Sequence, residues 1–460
     1  MNPTPQERPF ITEDQRTQDG LLVDSIQGKP VLLDFQAGRL SSDAGLLLLK
    51  QLDGHLGLTH ALASVLPDER DPKRTRHSVA DLLRQRVFQI AAGYEDQDDS
   101  DTLRSDPIFK LLLGRLPETG ADLASQPTMS RFENGVPRRA LYRLSEVFVE
   151  QFIRSYGEAP QVIVLDFDDT ADLAHGEQEQ AQFNAHVGDS CFMPLHVYEG
   201  LSGRLILTLL KPRLLKGIEI LPIVRRLVSR LRQAWPETEI LFRGDSHFTY
   251  PEVMAYLESE PRLHYVTGLG SNSVLKRLAS EIEAEARRHY QRGDRAKVLR
   301  FHSTFYQAGT WPHPRRVVIK VEVTEKGTNT RFIVTDLLRA PAQRLYQRVY
   351  CARGQMENYI KDHKLALHSD RTSCHRFVAN QFRLLLHSAA YVLLWALRGE
   401  VLGRSAWSCV RFETLQLRLL KLGACVKEEA HQIRVSLPRA CPVQAVLRRS
   451  FTLLGALPGP

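Results

Sequence analysis

Carboxylates at three widely separated points of the chain have the chemistry to hold a divalent cation together. Asp166 and Asp168 lie in the apolar run QVIVLDFDDT. Asp245 follows the apolar run EILF, and Glu357 lies within residues 350–364. Carboxylate oxygens are hard ligands that suit Mg²⁺, for which Mn²⁺ can substitute, rather than zinc. Two such ions can activate a water molecule and stabilise the leaving oxygen of a phosphodiester, so the sequence predicts phosphodiester chemistry if folding unites the acids.

Residues 350–364, YCARGQMENYIKDHK, carry polar groups at helical spacing. On an α-helix, offsets of 0, 3, 7 and 14 fall within a wedge of about 60°. The side chains at these offsets are Tyr350, Arg353, Glu357 and Lys364. An adjacent apolar face is formed by Val349, Met356, Ile360 and Leu367. The planar fork of Arg353 suits a phosphate, and Lys364 adds a positive charge farther along. The alternative is a helix whose polar face contacts only solvent.

Strands and helices that alternate from residue 161 onward predict an α/β fold. Their order is strand, hairpin, helix, strand, helix, strand, which indicates a sheet of mixed direction. In open α/β sheets the strand ends converge at a crevice, where acids that follow strands can meet. Before this part, residues 41–155 have the periodicity of several helices separated by loops.

A β-rich block interrupts the α/β pattern before residue 350. Within it, Ile319, Val321 and Val323 alternate with Lys320 and Glu322. This alternation predicts a strand with one buried face and one face in solvent.

The composition is that of an ordinary soluble globular protein with a basic C-terminal part. The 460 residues include 43% hydrophobic and 25% charged residues, and the net charge is +8. From Leu338 to the C-terminus there are 19 Lys/Arg against 7 Asp/Glu, a balance of +12. Concentrated positive charge favours a polyanion such as nucleic acid, although solvated surface arginines give the same pattern.

Targeting and redox signals predict a cytoplasmic protein that does not enter a membrane. The N-terminus MNPTPQERPF lacks the apolar run of a signal peptide. The apolar run at 384–397 is too short to span a bilayer comfortably, which predicts a core helix. The six cysteines form no CxxC pair, as expected of reduced structural thiols.

The Tyr-x2-Arg-x3-Glu-x6-Lys spacing resembles the signature of a large superfamily of bacterial insertion-sequence transposases, the insertion-sequence-four-like group of the DDE type. The stretches LDFDDTADLAHGEQEQAQFNAHVGDSCFMPLHVYEG, RGDSHFTYPEV and TSCHRFVANQFRLLLHSAAYVLL look like its thirteen-eighty branch. The resemblance implies Asp168, Asp245 and Glu357 as catalytic acids that bind two Mg²⁺ ions. It implies cleavage at the ends of an element and attack of the freed 3′-OH on target DNA. A dimer assembled on the DNA ends is expected.

The same resemblance implies an RNase H-like catalytic core with a β-rich insertion between the second Asp and the Glu. The predicted regions are a mainly helical N-terminal DNA-binding region at 1–155, the first part of the core at 160–272, the insertion at 273–338, the second part of the core at 339–402, and a helical, basic C-terminal region at 403–460.

The first metal-binding acid is open to two assignments. Related transposases place it two residues before a Thr, which corresponds to Asp168 and Thr170. Asp166 is the alternative, because side chains two residues apart on a strand share one face.

Two other functions fit parts of the sequence. VIVLDFDDT also satisfies the pattern of haloacid-dehalogenase-type phosphohydrolases, in which Asp166 would be the nucleophile and Asp168 the acid/base. That family's later metal motif is incomplete here, since Thr249 stands where a further Asp is expected. The other alternative is a DNA-binding relative that has lost catalysis.

Further residues are predicted to contact DNA. Tyr350, Arg353 and Lys364 would contact the backbone near the cleaved ends. Trp311, at the tip of the β-block, would stack on an extruded base or simply pack. Arg131, in SQPTMSRFENG, would lie on a recognition helix or on a connector. The loop DPKRTR at 71–76 would contact phosphates or only solvent.

Overall fold

The computed structural model describes residues 21–293 and 296–456. Its strands are β1 (Leu21–Ile26), β2 (Lys29–Leu33), β3 (Leu40–Ser41), β4 (Val162–Asp169), β5 (Asp172–Leu173), β6 (Gln182–Asn184), β7 (Asp189–Phe192), β8 (Leu195–Glu199), β9 (Leu205–Leu209), β10 (Glu239–Gly244), β11 (Leu263–Leu269), β12 (Val298–Tyr306), β13 (Arg315–Thr324), β14 (Gly327–Thr335), β15 (Ala424–Glu428) and β16 (Ile433–Ser436).

The α-helices are α1 (Leu46–Leu56), α2 (Leu58–Ser64), α3 (Val79–Ala91), α4 (Asp99–Leu103), α5 (Pro107–Leu112), α6 (Gln126–Gly135), α7 (Arg138–Arg154), α8 (Gly217–Ala234), α9 (Pro251–Ser259), α10 (Ser273–Gln291), α11 (Ala342–Arg344), α12 (Gln355–Lys361), α13 (Phe377–Ala396), α14 (Phe412–Leu415) and α15 (Gln444–Ala456). Short 3₁₀ turns lie at Pro72–Arg74, Ser246–Phe248, Cys351–Gly354 and Ala406–Cys409. Wider π turns lie at Leu345–Tyr350, Asp362–Ala366, Leu397–Val401 and Gln416–Leu420.

A mixed eight-stranded sheet in the order β12-β13-β14-β11-β10-β4-β8-β9 is the centre of the fold. β4, β8 and β9 form an antiparallel meander, and β10 and β11 run parallel to β4. α8 connects the meander to β10, and α9 connects β10 to β11. The order predicted from residue 161 onward, strand, hairpin, helix, strand, helix, strand, is thereby confirmed.

The β-rich block continues this sheet. β14 pairs antiparallel with β11, and β13 lies between β14 and β12. β13 is buried on both faces, so the prediction that one face lies in solvent is wrong. α10 covers the side of Val317 and Ile319, and the π turn Leu345–Tyr350 covers the side of Val318. Lys320 is consequently buried beside Glu322, with which it forms an ion pair.

The N-terminal helices form where their apolar periodicity and capping residues predict them. The Ser78 hydroxyl accepts a hydrogen bond from the amide of Asp81 at the start of α3. Asp106 accepts hydrogen bonds from the amides of Ile108 and Phe109 at the start of α5. Such side-chain caps satisfy amides that have no partner within the helix.

One hydrophobic core joins the two ends of the chain. Buried residues of α1, α3, α5 and α7 form a single cluster with residues of α12, α13, α14 and α15. β3 pairs with β15 in the same part of the molecule. The described parts of the predicted regions 1–155 and 403–460, residues 21–155 and 403–456, therefore meet in a shared core; residues 1–20 and 457–460 lie outside the described residues.

α13 is the central helix of this core. With the π turn that follows, Phe377–Val401 is long and apolar enough to cross a bilayer, yet 72% of its most apolar window is buried inside the protein. Helices in protein cores pass the same test, and the burial agrees with the predicted core helix.

Candidate active site

The carboxyl ends of β4 and β10 bring two of the predicted acids side by side. The strands are parallel neighbours whose register pairs Phe167 with Gly244. Asp168 directly follows Phe167, and Asp245 directly follows Gly244. Neighbouring strands lie about 4.8 Å apart, so these carboxylates share one rim of the sheet.

Asp168 lies in a partly desolvated and charged environment. Its side chain is 16% exposed, and Nη2 of Arg353 lies 2.6 Å from its Oδ1. Burial raises the pKa of Asp168 to about 6; the cation of Arg353 opposes this increase, whereas the negative charge of Asp245 adds to it. The pair of carboxylates thus favours a positive charge between or beside them.

Asp245 is positioned by the turn that follows β10. Its Oδ1 accepts a hydrogen bond of 2.8 Å from the amide of His247, at the start of the turn Ser246–Phe248. The imidazole Nδ1 of His247 lies 3.3 Å from the other carboxylate oxygen, and the Asp245 side chain is 32% exposed. This acid is held at its base and remains accessible from solvent.

The predicted helix at 350–364 is part of a helical segment, 342–366, whose pitch changes four times. α11 leads into the π turn Leu345–Tyr350, the 3₁₀ turn Cys351–Gly354, α12 and the π turn Asp362–Ala366. The single α-helix assumed for the 60° stripe is therefore wrong, because π and 3₁₀ turns rotate successive side chains differently.

Two separate apolar clusters account for the change of pitch. Leu345 and Tyr346 pack in the cluster under the outer strands. Met356 and Ile360 pack in the core around α13. The predicted apolar face is confirmed for Met356, Ile360 and Leu367, which are all buried.

Tyr350 lies beside the turn after β10. A Cβ added to Gly268 would stand 2.8 Å from the Tyr350 hydroxyl and 2.9 Å from the amide nitrogen of Ser246. Gly268 therefore leaves room for the phenol to approach this turn. Burial raises the pKa of Tyr350, with Arg353 opposing the increase.

Glu357 is exposed on α12 and does not join the two aspartates. Within the described part of the chain its side chain makes no ion pair or hydrogen bond. Among the described residues no group of three or more His, Cys, Asp or Glu side chains is placed to hold a metal ion. The donor chemistry of Asp168 and Asp245 fits a divalent cation, and the predicted third carboxylate is separate in this arrangement.

Lys364 is bound inside the protein, so the contact predicted between it and DNA is not available in this arrangement. Its Nζ lies 3.0 Å from Oδ1 of Asp172 and donates hydrogen bonds to the carbonyl of Ala171 and the hydroxyl of Thr170, at 2.6 and 3.2 Å. These three residues directly follow β4. Lys364 therefore attaches the helical segment to the loop after Asp168.

Asp166 is buried and forms a two-pronged ion pair with Arg243. Nε and Nη2 of Arg243 each lie 2.6 Å from one oxygen of this carboxylate, and Nη1 donates to the carbonyl of Val349 at 2.7 Å. A Cβ on Gly200 would lie 2.4 Å from both Asp166 Oδ2 and Arg243 Nη2. The sequence analysis missed Arg243, whose signal is an arginine inside the apolar run EILFRG.

Each aspartate in the second half of β4 or just after it, at positions 166, 168, 169 and 172, forms an ion pair with a different Lys or Arg from a distant part of the chain. The pairs are Asp166 with Arg243, Asp168 with Arg353, Asp169 with Lys211, and Asp172 with Lys364. Lys211 was also missed by the sequence analysis. Neither Asp245 nor Glu357 forms an ion pair with a Lys or Arg within the described residues, so no such cation occupies their carboxylates in this arrangement.

Comparison with known proteins identifies the family. The sequence model of the family described as transposase DDE domain, group 1, matches residues 23–458. The chain belongs to this DDE transposase-domain family. No curated protein matches the chain. Its fold has a TM-score of 0.43 with the piggyBac transposase in a synaptic complex with hairpin DNA; the identity is 13%, over 83% of this chain and 80% of that one.

Membership of the DDE transposase family agrees with the burial of Asp166. A haloacid-dehalogenase-type nucleophile must reach a phosphate ester, whereas Asp166 is fully buried and both of its oxygens are bound by Arg243. Asp166 is therefore not accessible as the nucleophile that the phosphohydrolase alternative requires.

Trp311 is packed in the interior of this DDE-family protein. It is 6% exposed, contacts Tyr306 edge to face at a centroid distance of 5.4 Å, and lies under the guanidinium of Arg315. Stacking on an extruded base would require the indole to leave these contacts.

Arg131 is exposed on α6, whose start at Gln126 and early Pro127 agree with the predicted helix. Its Nη2 donates to the hydroxyl of Thr128 at 3.2 Å. The DPKRTR loop lies against the same cavity as Arg131.

Proposed function

We propose that the protein is a DNA transposase of a bacterial insertion sequence. It would belong to the superfamily with the Tyr-Arg-Glu-Lys signature and to its thirteen-eighty branch. It would cleave the ends of the element and join the freed 3′-OH to target DNA. One observation carries the proposal: Asp168 and Asp245 lie at the ends of adjacent parallel strands, and the helical segment that contains the signature binds Asp168 through Arg353.

We propose that the catalytic core is RNase H-like. β4, β8 and β9 form an antiparallel meander, and β10 and β11 extend it in parallel on the other side of β4. This arrangement of five strands supports the proposal. The outer strands β12 to β14 and α10 would be the β-rich insertion.

Asp168, Asp245 and Glu357 would hold the divalent cations, Mg²⁺ or Mn²⁺, with Asp168 rather than Asp166 as the first acid. The partial exposure of Asp168 and the complete engagement of Asp166 by Arg243 support this choice. Bound cations would supply activation of a water or 3′-OH and stabilisation of the leaving oxygen.

A local change in the helical segment would bring Glu357 to the site. Glu357 follows Arg353 by four residues in this segment, and the guanidinium of Arg353 contacts Asp168. The uneven pitch at 345–354 gives the segment a place at which it can rewind.

Arg353 and Tyr350 would act on the substrate. A phosphodiester presents acceptor oxygens like those of the Asp168 carboxylate, so the planar guanidinium of Arg353 can bind either group. The Tyr350 hydroxyl, which lies beside the turn that follows Asp245, would contact the adjacent DNA backbone. The proposed partners are thus the DNA ends of the element and the target DNA. The protein would assemble as a dimer on the DNA ends. The cytoplasmic location and the absence from membranes stay predictions.

Metal-dependent nicking tests the proposal. The substrate is a labelled duplex that contains the DNA end flanking the coding sequence, with Mg²⁺ or Mn²⁺. Wild type should nick it, and Asp168→Asn and Glu357→Gln should abolish nicking while retaining DNA binding. Glu281→Gln, at an exposed acid of α10, is the matched control.

Two results would contradict the proposal. Wild-type activity retained by both active-site variants would show that these acids are not catalytic. DNA binding by the wild type without nicking under either metal would favour the catalytically inactive DNA-binding relative.

A further inference from the structure

A basic cavity lies in the N-terminal helical part, built from three segments. Its volume is about 670 Å³, and its lining includes the loop 70–77, the end of α4, and the start of α6. Five arginines line it: Arg70, Arg74, Arg76, Arg104 and Arg131. Asp71 and Asp122 are the acidic residues of the lining, so the arginines outnumber the carboxylates. We call this site the arginine cavity.

Most of these guanidinium groups are not committed to other side chains. The Arg74 side chain is 90% exposed and lies 3.8 Å from Asp71, whereas Arg104 lies 3.9 Å from Asp122. Asp122 lies closer to Lys110, at 3.2 Å. Arg76 is exposed and has no ion pair or hydrogen bond within residues 21–293 and 296–456. Only Arg70 is firmly held, by both oxygens of Asp68.

The loop that presents the arginines is well fixed. The Asp71 carboxylate accepts a hydrogen bond from the amide of Lys73 at 3.0 Å, and the Thr75 hydroxyl donates to the Asp71 carbonyl at 2.8 Å. Asp71 therefore serves its own turn and neutralises little of the neighbouring charge. The hydroxyl-bearing Ser125 and Thr128 add neutral hydrogen-bond donors to the lining.

The arginine side chains of the cavity do not lose their positive charge by titration. The histidine of the cavity, His77, adds no positive charge to them. Burial, with help from the Arg115 cation, lowers the pKa of His77. The cavity is thus a permanent cationic surface that can accept several anionic groups of one polymer.

We infer that the arginine cavity binds successive backbone phosphates of duplex DNA, as an anchoring site separate from the carboxylates. The inference rests on the proposed function for the identity of its polyanion. It goes beyond the separate predictions for Arg131 and the loop 71–76, because it assigns the binding to one surface that the loop 70–77, the end of α4 and α6 form together. Phosphate contacts give affinity and register without reading sequence.

Salt-dependent DNA binding tests the inference. The full chain is titrated by fluorescence anisotropy against a labelled duplex of about three helical turns, without divalent metal. Each phosphate contact contributes about 0.9 to the slope of log K against log salt, which corresponds to roughly 5-fold in affinity at 0.15 M salt. Arg74→Ala/Arg76→Ala/Arg104→Ala should therefore bind roughly 100-fold more weakly and lose up to ~3 from the slope.

The control removes the same number of positive charges from exposed positions of α10. Lys276→Ala/Arg277→Ala/Arg288→Ala should keep the slope within ~1 of the wild type. Replacing the three cavity arginines with lysine should retain most of the slope because the charges remain. Thermal melts check that every variant is folded, and the exposed single variant Arg76→Ala gives a smaller loss of the same kind.

The outcomes separate this inference from the proposed function. Equal slopes for the alanine variant and the α10 control would overturn the inference, even if the wild type nicks DNA. Loss of binding in the alanine variant, with no nicking by the wild type, would support the cavity and contradict the transposase.

Discussion

Replacing Lys364 with methionine should destabilise the protein through Asp172 rather than by removing a contact with DNA. Nζ of Lys364 lies 3.0 Å from Oδ1 of Asp172, and the two side chains are 18% and 1% exposed. Removing one member of a buried ion pair leaves the other charge uncompensated and typically costs about 3–5 kcal/mol. Methionine keeps the unbranched stem, so the free energy of unfolding should fall by about 3 kcal/mol at a pH where Asp172 is ionised.

The pH dependence of the free energy of unfolding gives a second, independent magnitude for the effect of burying Asp172. Burial raises the pKa of Asp172 from 3.8 to about 7, although Lys364 opposes the increase. The pKa of Asp172 is higher in the folded state than in the unfolded state, so protonation of this carboxyl group favours folding. This stabilisation is fully present below the unfolded pKa and is lost as the pH rises through the folded pKa. A shift of about three pKa units corresponds to about 4 kcal/mol. Between about pH 4 and pH 8, wild type should lose roughly that much stability relative to Asp172→Asn.

Urea denaturation at a series of pH values, followed by circular dichroism, measures both effects. Nicking of the labelled DNA end is then compared in the two single variants and in the double variant. If Lys364 acts through Asp172, the double variant Lys364→Met/Asp172→Asn should recover stability and most of the activity lost by Lys364→Met.

Two results would refute the reasoning. Parallel stability curves for wild type and Asp172→Asn would mean that the carboxylate is not buried as described. Activity that stays lost in a fully stable double variant would return Lys364 to the predicted role of a DNA contact.

Three further substitutions test the interior around the site, each by urea denaturation. Arg243→Met leaves Asp166 buried without a partner and should lower the free energy of unfolding by about 3–5 kcal/mol, while an unchanged value would contradict the two-pronged pair. Gly200→Ala places a Cβ 2.4 Å from that pair and should cost about 1–3 kcal/mol, whereas Gly54→Ala, with no atom within 4 Å of its Cβ, should cost nothing. Trp311→Ala should cost about 3–5 kcal/mol because the indole is buried, and a stable variant that is defective only in end processing would instead restore the stacking role.

The local pattern of the chain predicts the strands and the acids at their ends. β4 and β10 are apolar runs that stop at Asp168 and Asp245, and strands of an α/β sheet expose such residues at one rim. The apolar positions Met356 and Ile360 likewise predict which side of the helical segment is buried. These features depend on periodicity within a few residues, which the sequence contains directly.

Features that depend on distant partners could not be predicted. Lys364 has the spacing of a signature residue, yet its partner Asp172 lies almost two hundred residues earlier. Lys320 alternates as a solvent-facing residue should, but α10 and the turn at 345–350 cover both faces of its strand. The pitch changes around Arg353 arise because one segment packs into two cores, and no local pattern encodes both.

The shared core of the first and last helices bears on how the protein is made. A chain emerging from the ribosome exposes the apolar faces of α1, α3 and α7 long before α13 and α15 exist to cover them. We therefore expect the arginine cavity to acquire a stable scaffold only after synthesis is nearly finished. A fragment that ends before α13 would be a substrate for chaperones and proteases rather than a competitor for DNA.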